Sequence, residues 1–329
     1  MERRQVGVYL GALVVGGLMG WMLPSVGAGL GLAVNPVLGA LLLVTFLQVP
    51  VGRLVGSLRD GRFVAAVLVV NFVAVPLVVA VLWVLLPADE AVRVGVLLVL
   101  LTPCVDYVIV FSGLAGGSSR RLLAVTPLLL IVQMVLLPVF LWLFMGAGFA
   151  DVVALGPFVE AFVVLIVVPL VVAWVGQGWA ARWATGARVL RAAGMSMVPL
   201  MAVTLAMVVA SQVPELDGEL GAVGGVVPFY VVFFVVMVFV GRAVGRVFGL
   251  GVAAGRAVVF SGVTRNSLVV LPLALALPGE LAAAAVVVVA QTMVEVCGMV
   301  VLVRYYRAPV GQFALGRGSD AGQRDSGRQ

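Results

Sequence analysis

Runs of apolar residues about as long as a bilayer is thick recur along this sequence, and they constrain its fold more than any motif does. A helix needs ~20 mostly apolar residues to cross the hydrocarbon core of a membrane. Ten such runs can be marked, at approximately 6–23, 29–49, 63–86, 92–114, 122–145, 152–178, 195–213, 225–241, 252–277 and 281–303. Composition agrees with them. Of 329 residues, 64% are apolar and 10% charged, with a mean hydropathy of +1.26, whereas soluble domains sit near ~45–50% apolar and ~25% charged. A soluble enzyme or nucleic-acid binder is thereby excluded as the main body of the chain. The expected fold class is an all-α polytopic membrane protein.

Charge then orients the spans. All 20 basic residues are Arg, and Val, Ala, Gly and Leu fill most of the remainder, a bias typical of GC-rich coding that points to the plasma (inner) membrane of a bacterium. Arg3, Arg4, Arg53, Arg59, Arg62, Arg120, Arg121, Arg182, Arg188, Arg191, Arg242, Arg246, Arg256 and the five Arg from Arg304 onward fall on one side of the ten-span arrangement. Asp89, Glu90, Asp151, Glu215, Asp217, Glu219 and Glu280 fall on the other, with Arg93 its one basic residue. The positive-inside rule makes both termini cytoplasmic. A pI near 10.1 is therefore a topology signal and not a sign of nucleic acid as a partner; the expected surroundings are membrane lipid. The opening MERRQ and the apolar residues after it read as the first span, because no small-residue cleavage site leads into a soluble domain.

Ten spans divide into five and five, and an odd-numbered repeat inserts its second copy upside down. The two halves, residues 1–149 and 150–303, share a weak echo: Gln133 follows Leu122 by eleven residues in the fifth span, and Gln291 follows Leu281 by ten in the tenth. Inverted repeats with a site at mid-membrane on discontinuous helices are a transporter signature. Residues 304–329, rich in Gly, Arg, Asp, Ser and Gln, are too polar to bury and form an expected disordered cytoplasmic tail.

Chemistry-bearing residues concentrate in three spans. The fourth reads LLTPCVDYVIVFSGLAGG, with Pro103 near its middle followed by Cys104 and Asp106. Proline removes a backbone donor and crowds the preceding turn, which favours a broken helix. A carboxylate at the bilayer centre costs ~2.5–3.5 kcal/mol on insertion scales, so Asp106 must face a cavity, a cation or a proton. The ninth span, VVFSGVTRNSLVVLPLALALP, is interrupted by Gly262, Thr264, Arg265, Asn266 and Ser267. Arg265 is the one Arg deep in a span, and its candidate partners are Asp106 and Glu295. In the tenth span Gln291 and Glu295 are four apart and share a helical face, while Cys297 turns away. Glu160 lies near the start of its span, within reach of the interface. The absence of His removes His bases and His metal sites. Cys104 and Cys297 both lie in apolar runs, so neither a disulfide framework nor a zinc ribbon is expected, and no cofactor.

The segments LTPCVDYVIVFSGLAGG, VTRNSLVVLPLALALP and AQTMVEVCGMVV resemble the bile acid/sodium symporter superfamily, and within it the arsenite efflux permeases. That resemblance implies ten spans in two inverted five-helix repeats, with broken helices four and nine crossing at mid-membrane. It places the permeases' membrane-embedded Cys on Cys104 after Pro103, their last-span Glu on Glu295, and their paired Asn on Arg265 and Asn266. The chain departs from the pattern at Leu268, where the permeases carry an acid, at Cys297, where they carry a proline, and at Asp106. The Glu and Gln that help hold sodium in the sodium-coupled branch align with Ser261 and Arg265. A guanidinium carries permanent charge and cannot deprotonate, so sodium coupling at that site is disfavoured, and proton coupling through Asp106 or Glu295 fits better.

Two functions are then expected. The first is export of arsenite or a related trivalent metalloid, driven by a proton gradient or the membrane potential. Cys104 would be a transient metalloid ligand, because soft trivalent arsenic prefers thiolate, and Pro103, Arg265, Asn266 and Ser267 would bind substrate beside a charge network of Asp106, Glu295, Arg265 and Gln291. The second is a sodium- or proton-coupled symporter of a small organic anion, with Arg265 as the carboxylate partner. Neither is an enzyme.

Overall fold

Helices make up all the regular structure among the described residues, apart from a single bridged residue pair. The structure is a computed structural model, and it describes residues 2–48, 60–105, 107–146, 160, 162–213, 216–278 and 281–307. The helices are α1 (Glu2–Met22), α2 (Pro24–Gln48), α3 (Gly61–Leu85), α4 (Glu90–Leu100), α5 (Tyr107–Leu114) and α6 (Ser119–Met145). They continue as α7 (Val168–Arg182), α8 (Ala184–Gln212), α9 (Leu216–Val247), α10 (Val252–Val263), α11 (Ser267–Leu275) and α12 (Ala283–Arg307). Among the described residues, five stretches are long and apolar enough to cross a membrane: Gly61–Leu85, Ser119–Met145, Ala184–Ser211, Gly224–Val247 and Ala283–Arg307.

Where the sequence interrupts its own helical pattern, the chain breaks. Asp89 caps α4 by accepting from the Val92 N–H at 2.9 Å, and the helix stops at Leu100 because Pro103 cannot donate and restricts the residue before it. α10 ends where Thr264 turns extended, and α11 restarts with Asn266 as its cap, accepting from the Val269 N–H at 3.3 Å. The expected runs 92–114 and 252–277 are thus each two half-helices. A gentler interruption occurs in α3, where Val70–Ala74 widen into a π-type turn just ahead of Pro76, and again at Val163–Val167 ahead of Pro169. In each case the proline's missing N–H is absorbed by a locally wider helix.

Packing sorts the helices into two groups. α1, α2, α7 and α8 pack on one another, while α3, α4, α5, α6 and α9–α12 form the second group. Close approach in the first depends on glycine: a Cβ at Gly20 would lie 2.7 Å from the Ala210 carbonyl oxygen on α8. In the second, a Cβ at Gly241 would meet the Val259 backbone at 2.8 Å. Such small-residue seams let helices pack by van der Waals contact where lipid offers no hydrophobic drive. The groups meet along a thin seam, chiefly α8 on α12, α2 on α11 and α1 on α5. α12 runs on through Arg307, past the expected limit at 303. Its last turn is held by Arg307 Nε, which donates to the Leu114 carbonyl at the end of α5 at 2.6 Å.

Candidate functional site

Both broken helices cross at their breaks. Pro103 and Arg265 form an antiparallel bridge, in which the Cys104 N–H donates to the Thr264 carbonyl at 3.3 Å and the Asn266 N–H to the Thr102 carbonyl at 2.8 Å. The two unwound segments therefore satisfy part of each other's backbone, which a lone break in an apolar interior could not do. Four half-helix ends converge here. The C-terminal ends of α4 and α10 bring partial negative charge, and the N-terminal ends of α5 and α11 bring partial positive charge.

Arg265 is fully buried and its guanidinium occupies the C-terminal side of the crossing. Nη1 donates to the Leu100 carbonyl at 3.2 Å; Nη2 donates to the Ser261 carbonyl at 2.7 Å, the Gly262 carbonyl at 2.9 Å and Asn71 Oδ1 at 2.8 Å. Asn71 sits in the π-type turn of α3, and its Nδ2 donates to Ser261 Oγ at 2.8 Å and the Val67 carbonyl at 2.9 Å. Those bonds aim its oxygen at the guanidinium. The Phe233 ring lies 5.8 Å from the guanidinium carbon, within cation–π range. Three carbonyls at the negative ends of two half-helices, with the amide oxygen of Asn71 from α3, are a setting suited to a hard cation. Here the cation is covalently part of the chain.

Glu295 occupies the opposite side. Its Oε2 accepts from the Arg265 backbone N–H at 2.7 Å and from Gln291 Nε2 at 2.5 Å. The Tyr107 hydroxyl, at the start of α5, lies 2.7 Å from Glu295 Oε1 and 3.0 Å from the Arg265 carbonyl, so its one proton serves either oxygen. The carboxylate thus sits beside helix N-termini and the guanidinium beside helix C-termini, each charge matched to the dipole ends around it.

The sequence-level candidates fall into place unevenly. Cys104, Pro103, Arg265, Asn266, Ser267, Gln291 and Glu295 are brought together at the crossing or one helix away from it. Asp106 lies outside the described residues. Glu295 meets Arg265 through the backbone amide and not through the guanidinium, which runs back over the preceding turn of its own helix to Ser261 and Gly262. Among the described residues one ion pair is present, Arg121 with Asp60 at 3.0 Å, on the surface. Glu160 is exposed and remote in sequence from the crossing elements. Cys297 is exposed.

Sequence reasoning missed three members of the site. Asn71 was detectable as the lone amide in the apolar run 63–86, and Tyr107 as a polar aromatic next to Asp106. Thr292 gave little signal; its hydroxyl donates to Ser267 Oγ at 2.7 Å. Ser267 and Thr292 line a small cavity with Leu205 and Val208 of α8, Leu271 of α11 and Val289 of α12, about 10 Å³ in volume. That is room for about one water. Asn266 Nδ2 and Gln291 Oε1, on the residues next to Ser267 and Thr292 in the chain, are buried without a hydrogen-bond partner among the described residues, an unspent donor and an unspent acceptor.

The model of the SBF-like CPA transporter family, a family akin to the bile acid/sodium symporters, matches residues 7–306. No curated protein matches the sequence significantly.

Proposed function

Because this chain belongs to the SBF-like CPA transporter family, a family of membrane transporters, we propose that it is a secondary transporter that exports arsenite or a related trivalent metalloid without using sodium. Its spans would be ten, arranged as two inverted five-helix repeats, in a bacterial plasma membrane with both termini cytoplasmic. The observation that carries this reading is the guanidinium of Arg265 held by four oxygens at the crossing. With that place filled by a tethered cation, the driving force comes from protons or the membrane potential. Glu295 is the group to load and unload a proton, since it is buried, faces the crossing and accepts from three neighbours.

The substrate reading follows from the chemistry of the groups at and next to the crossing. Arsenous acid is an uncharged trihydroxide at neutral pH with a thiophilic centre. Cys104 supplies a thiol on one strand of the crossing, while Asn266 Nδ2, Gln291 Oε1 and the Ser267 hydroxyl supply neutral hydrogen-bonding partners. One thiol suits transport, because a metalloid held by three would not leave. The adjoining cavity is too small for such a molecule, so binding requires α8 to part from α11 and α12 along the thin seam, which is the motion alternating access needs.

A second reading, symport of a small organic anion on Arg265, draws on the guanidinium Nε, which has no hydrogen-bond partner among the described residues. A carboxylate there would gain one N–H and not the two-pronged grip that makes Arg an anion residue. The test is arsenite uptake into everted vesicles with Cys104→Ser and Cys297→Ser. Cys104→Ser should abolish uptake and Cys297→Ser leave most of it. Full uptake in Cys104→Ser at normal expression would overturn the metalloid reading in favour of the anion.

A further inference from the structure

Away from the crossing, on the outer face of the bundle, α9 and α12 part to leave an apolar groove with a polarity at one end that the transport site does not use. It encloses about 800 Å³. Its walls include Val235, Phe239 and Val301, all largely exposed. Along α9 it runs from Val231 to Arg242, about 16 Å at the helical rise per residue. The hydrocarbon core of a bilayer is ~30 Å thick, so the groove is about one leaflet deep.

Its polar end is basic. Arg242 lines it, with Nε donating to the Tyr306 hydroxyl at 3.1 Å and the guanidinium carbon 5.1 Å from the Tyr305 ring centroid. Arg246 follows one turn later on α9, and Arg304 and Arg307 lie in the last turn of α12. From Val231 to Val247 and from Val296 to Arg307 there is no Asp or Glu, and no carboxylate pairs with Arg242 among the described residues. The groove's other end, at Val231, Met293 and Val294, is wholly apolar.

We propose that this groove is a binding site for one anionic phospholipid of the leaflet that the arginine asymmetry assigns to the cytoplasm. One acyl chain lies along α9 and α12, and the phosphate sits on Arg242 with Arg246 and Arg304 nearby. Both features are needed to select this occupant. A neutral lipid leaves the arginine end uncompensated, a free anion makes no use of the apolar depth, and a docked helix from another chain would match a groove through both leaflets. Basic sites between spanning helices on the cytoplasmic side recognise anionic head groups in this way. The groove residues Met293, Val294, Cys297 and Gly298 alternate along α12 with Gln291 and Glu295, so the lipid would brace the helix that carries the buried carboxylate.

The experiment uses the purified full chain in detergent, titrated with phosphatidylglycerol or phosphatidylcholine of the same acyl chains and followed by native mass spectrometry. The wild type should retain phosphatidylglycerol at several-fold lower concentration than phosphatidylcholine. Arg242→Gln should weaken phosphatidylglycerol retention about fivefold, which is the ~1 kcal/mol expected per basic residue at a membrane surface. Arg242→Lys should restore most of it. Val235→Trp, which fills the groove and leaves the charge, should weaken retention of phosphatidylglycerol as well, whereas Arg62→Gln on α3 should change nothing. Equal retention of the two lipids by the wild type means bulk annular lipid only and overturns the proposal. Retention that falls with Arg242→Gln but is indifferent to Val235→Trp overturns it too, because the ligand is then a phosphate group without a seated chain. Size-exclusion profiles of each variant keep misfolding from counting as lost binding.

Discussion

Replacing Arg265 by Gln removes the tethered cation and leaves its cage intact. The carbonyls of Leu100, Ser261 and Gly262 and the Oδ1 of Asn71 now accept a guanidinium at 2.7–3.2 Å. Hydrogen bonds to a charged group contribute roughly 1.5–3 kcal/mol each, and a buried acceptor left alone costs about 1–3 kcal/mol. Gln can reach one or two of the four oxygens, so two or three lose their partner. The expected destabilisation is about 3–5 kcal/mol, the range for removing one partner of a buried charged network. At ~2–4 °C per kcal/mol for a large domain, that is on the order of 10 °C in apparent Tm. The loss should be partly reversed by sodium, because three carbonyls at two helix C-termini and Asn71 Oδ1 converge and would accept a small hard cation once the guanidinium is gone. A ligand at 100 times its Kd contributes about 2.7 kcal/mol, enough to recover roughly half or more of the shift. The assay is thermal unfolding of wild type and Arg265→Gln in detergent, with sodium exchanged for N-methylglucamine at fixed ionic strength. The wild type should be indifferent to sodium and the variant should not be. Sodium stabilisation of the wild type, or an Arg265→Gln variant as stable as the wild type without sodium, would refute the reasoning. Adding Asn71→Ala to Arg265→Gln should erase the sodium response, since it removes the one side-chain oxygen of the cage.

Other expectations follow from the same geometry. Glu295→Gln should abolish arsenite flux driven by a pH gradient in everted vesicles while leaving the protein folded, because the Gln oxygen can replace Oε2 as acceptor for the Arg265 N–H, and its NH2 can donate to the Tyr107 hydroxyl, whose proton then goes to the Arg265 carbonyl; undiminished gradient-driven flux would remove Glu295 from proton coupling. Tyr107→Phe should cost about 1–3 kcal/mol through lost bonding to a buried carboxylate, read as a lowered apparent Tm, and an unchanged Tm would mean the hydroxyl is redundant there. Gly20→Leu should lower expression or Tm sharply, since a Cβ would lie 2.7 Å from the Ala210 carbonyl oxygen; tolerance would show that α1 and α8 can slide apart. Single cysteines at Arg120 and Arg188, in a background without Cys104 and Cys297, should label from the cytoplasm and one at Asp89 from outside; external labelling at Arg120 or Arg188 would contradict the ten-span orientation.

The sequence by itself determined the class of the molecule and the places where its helices stop. Hydrophobic length is a local property, so the runs 63–86 and 122–145 already marked α3 and α6 to within a few residues. The breaks were legible for the same reason, because Pro103 and the polar cluster 262–267 act on their own turns. Arg265 and Glu295 were legible as singular charges in lipid. What they do to each other was not. Charge alone suggested an ion pair, but the direction of a side chain depends on which carbonyls another helix brings near, and the crossing offers the guanidinium two helix C-termini. Glu295 is left to the backbone amide and Tyr107. Asn71 belongs to the cage only because α3 packs on α10, 190 residues along from it at Ser261, and no local pattern encodes that. α12 likewise outran its expected end because Arg307 finds a carbonyl of α5. Propensity and burial are written residue by residue, whereas the partner of a buried polar group is set by whichever distant backbone the packed helices leave unsatisfied beside it.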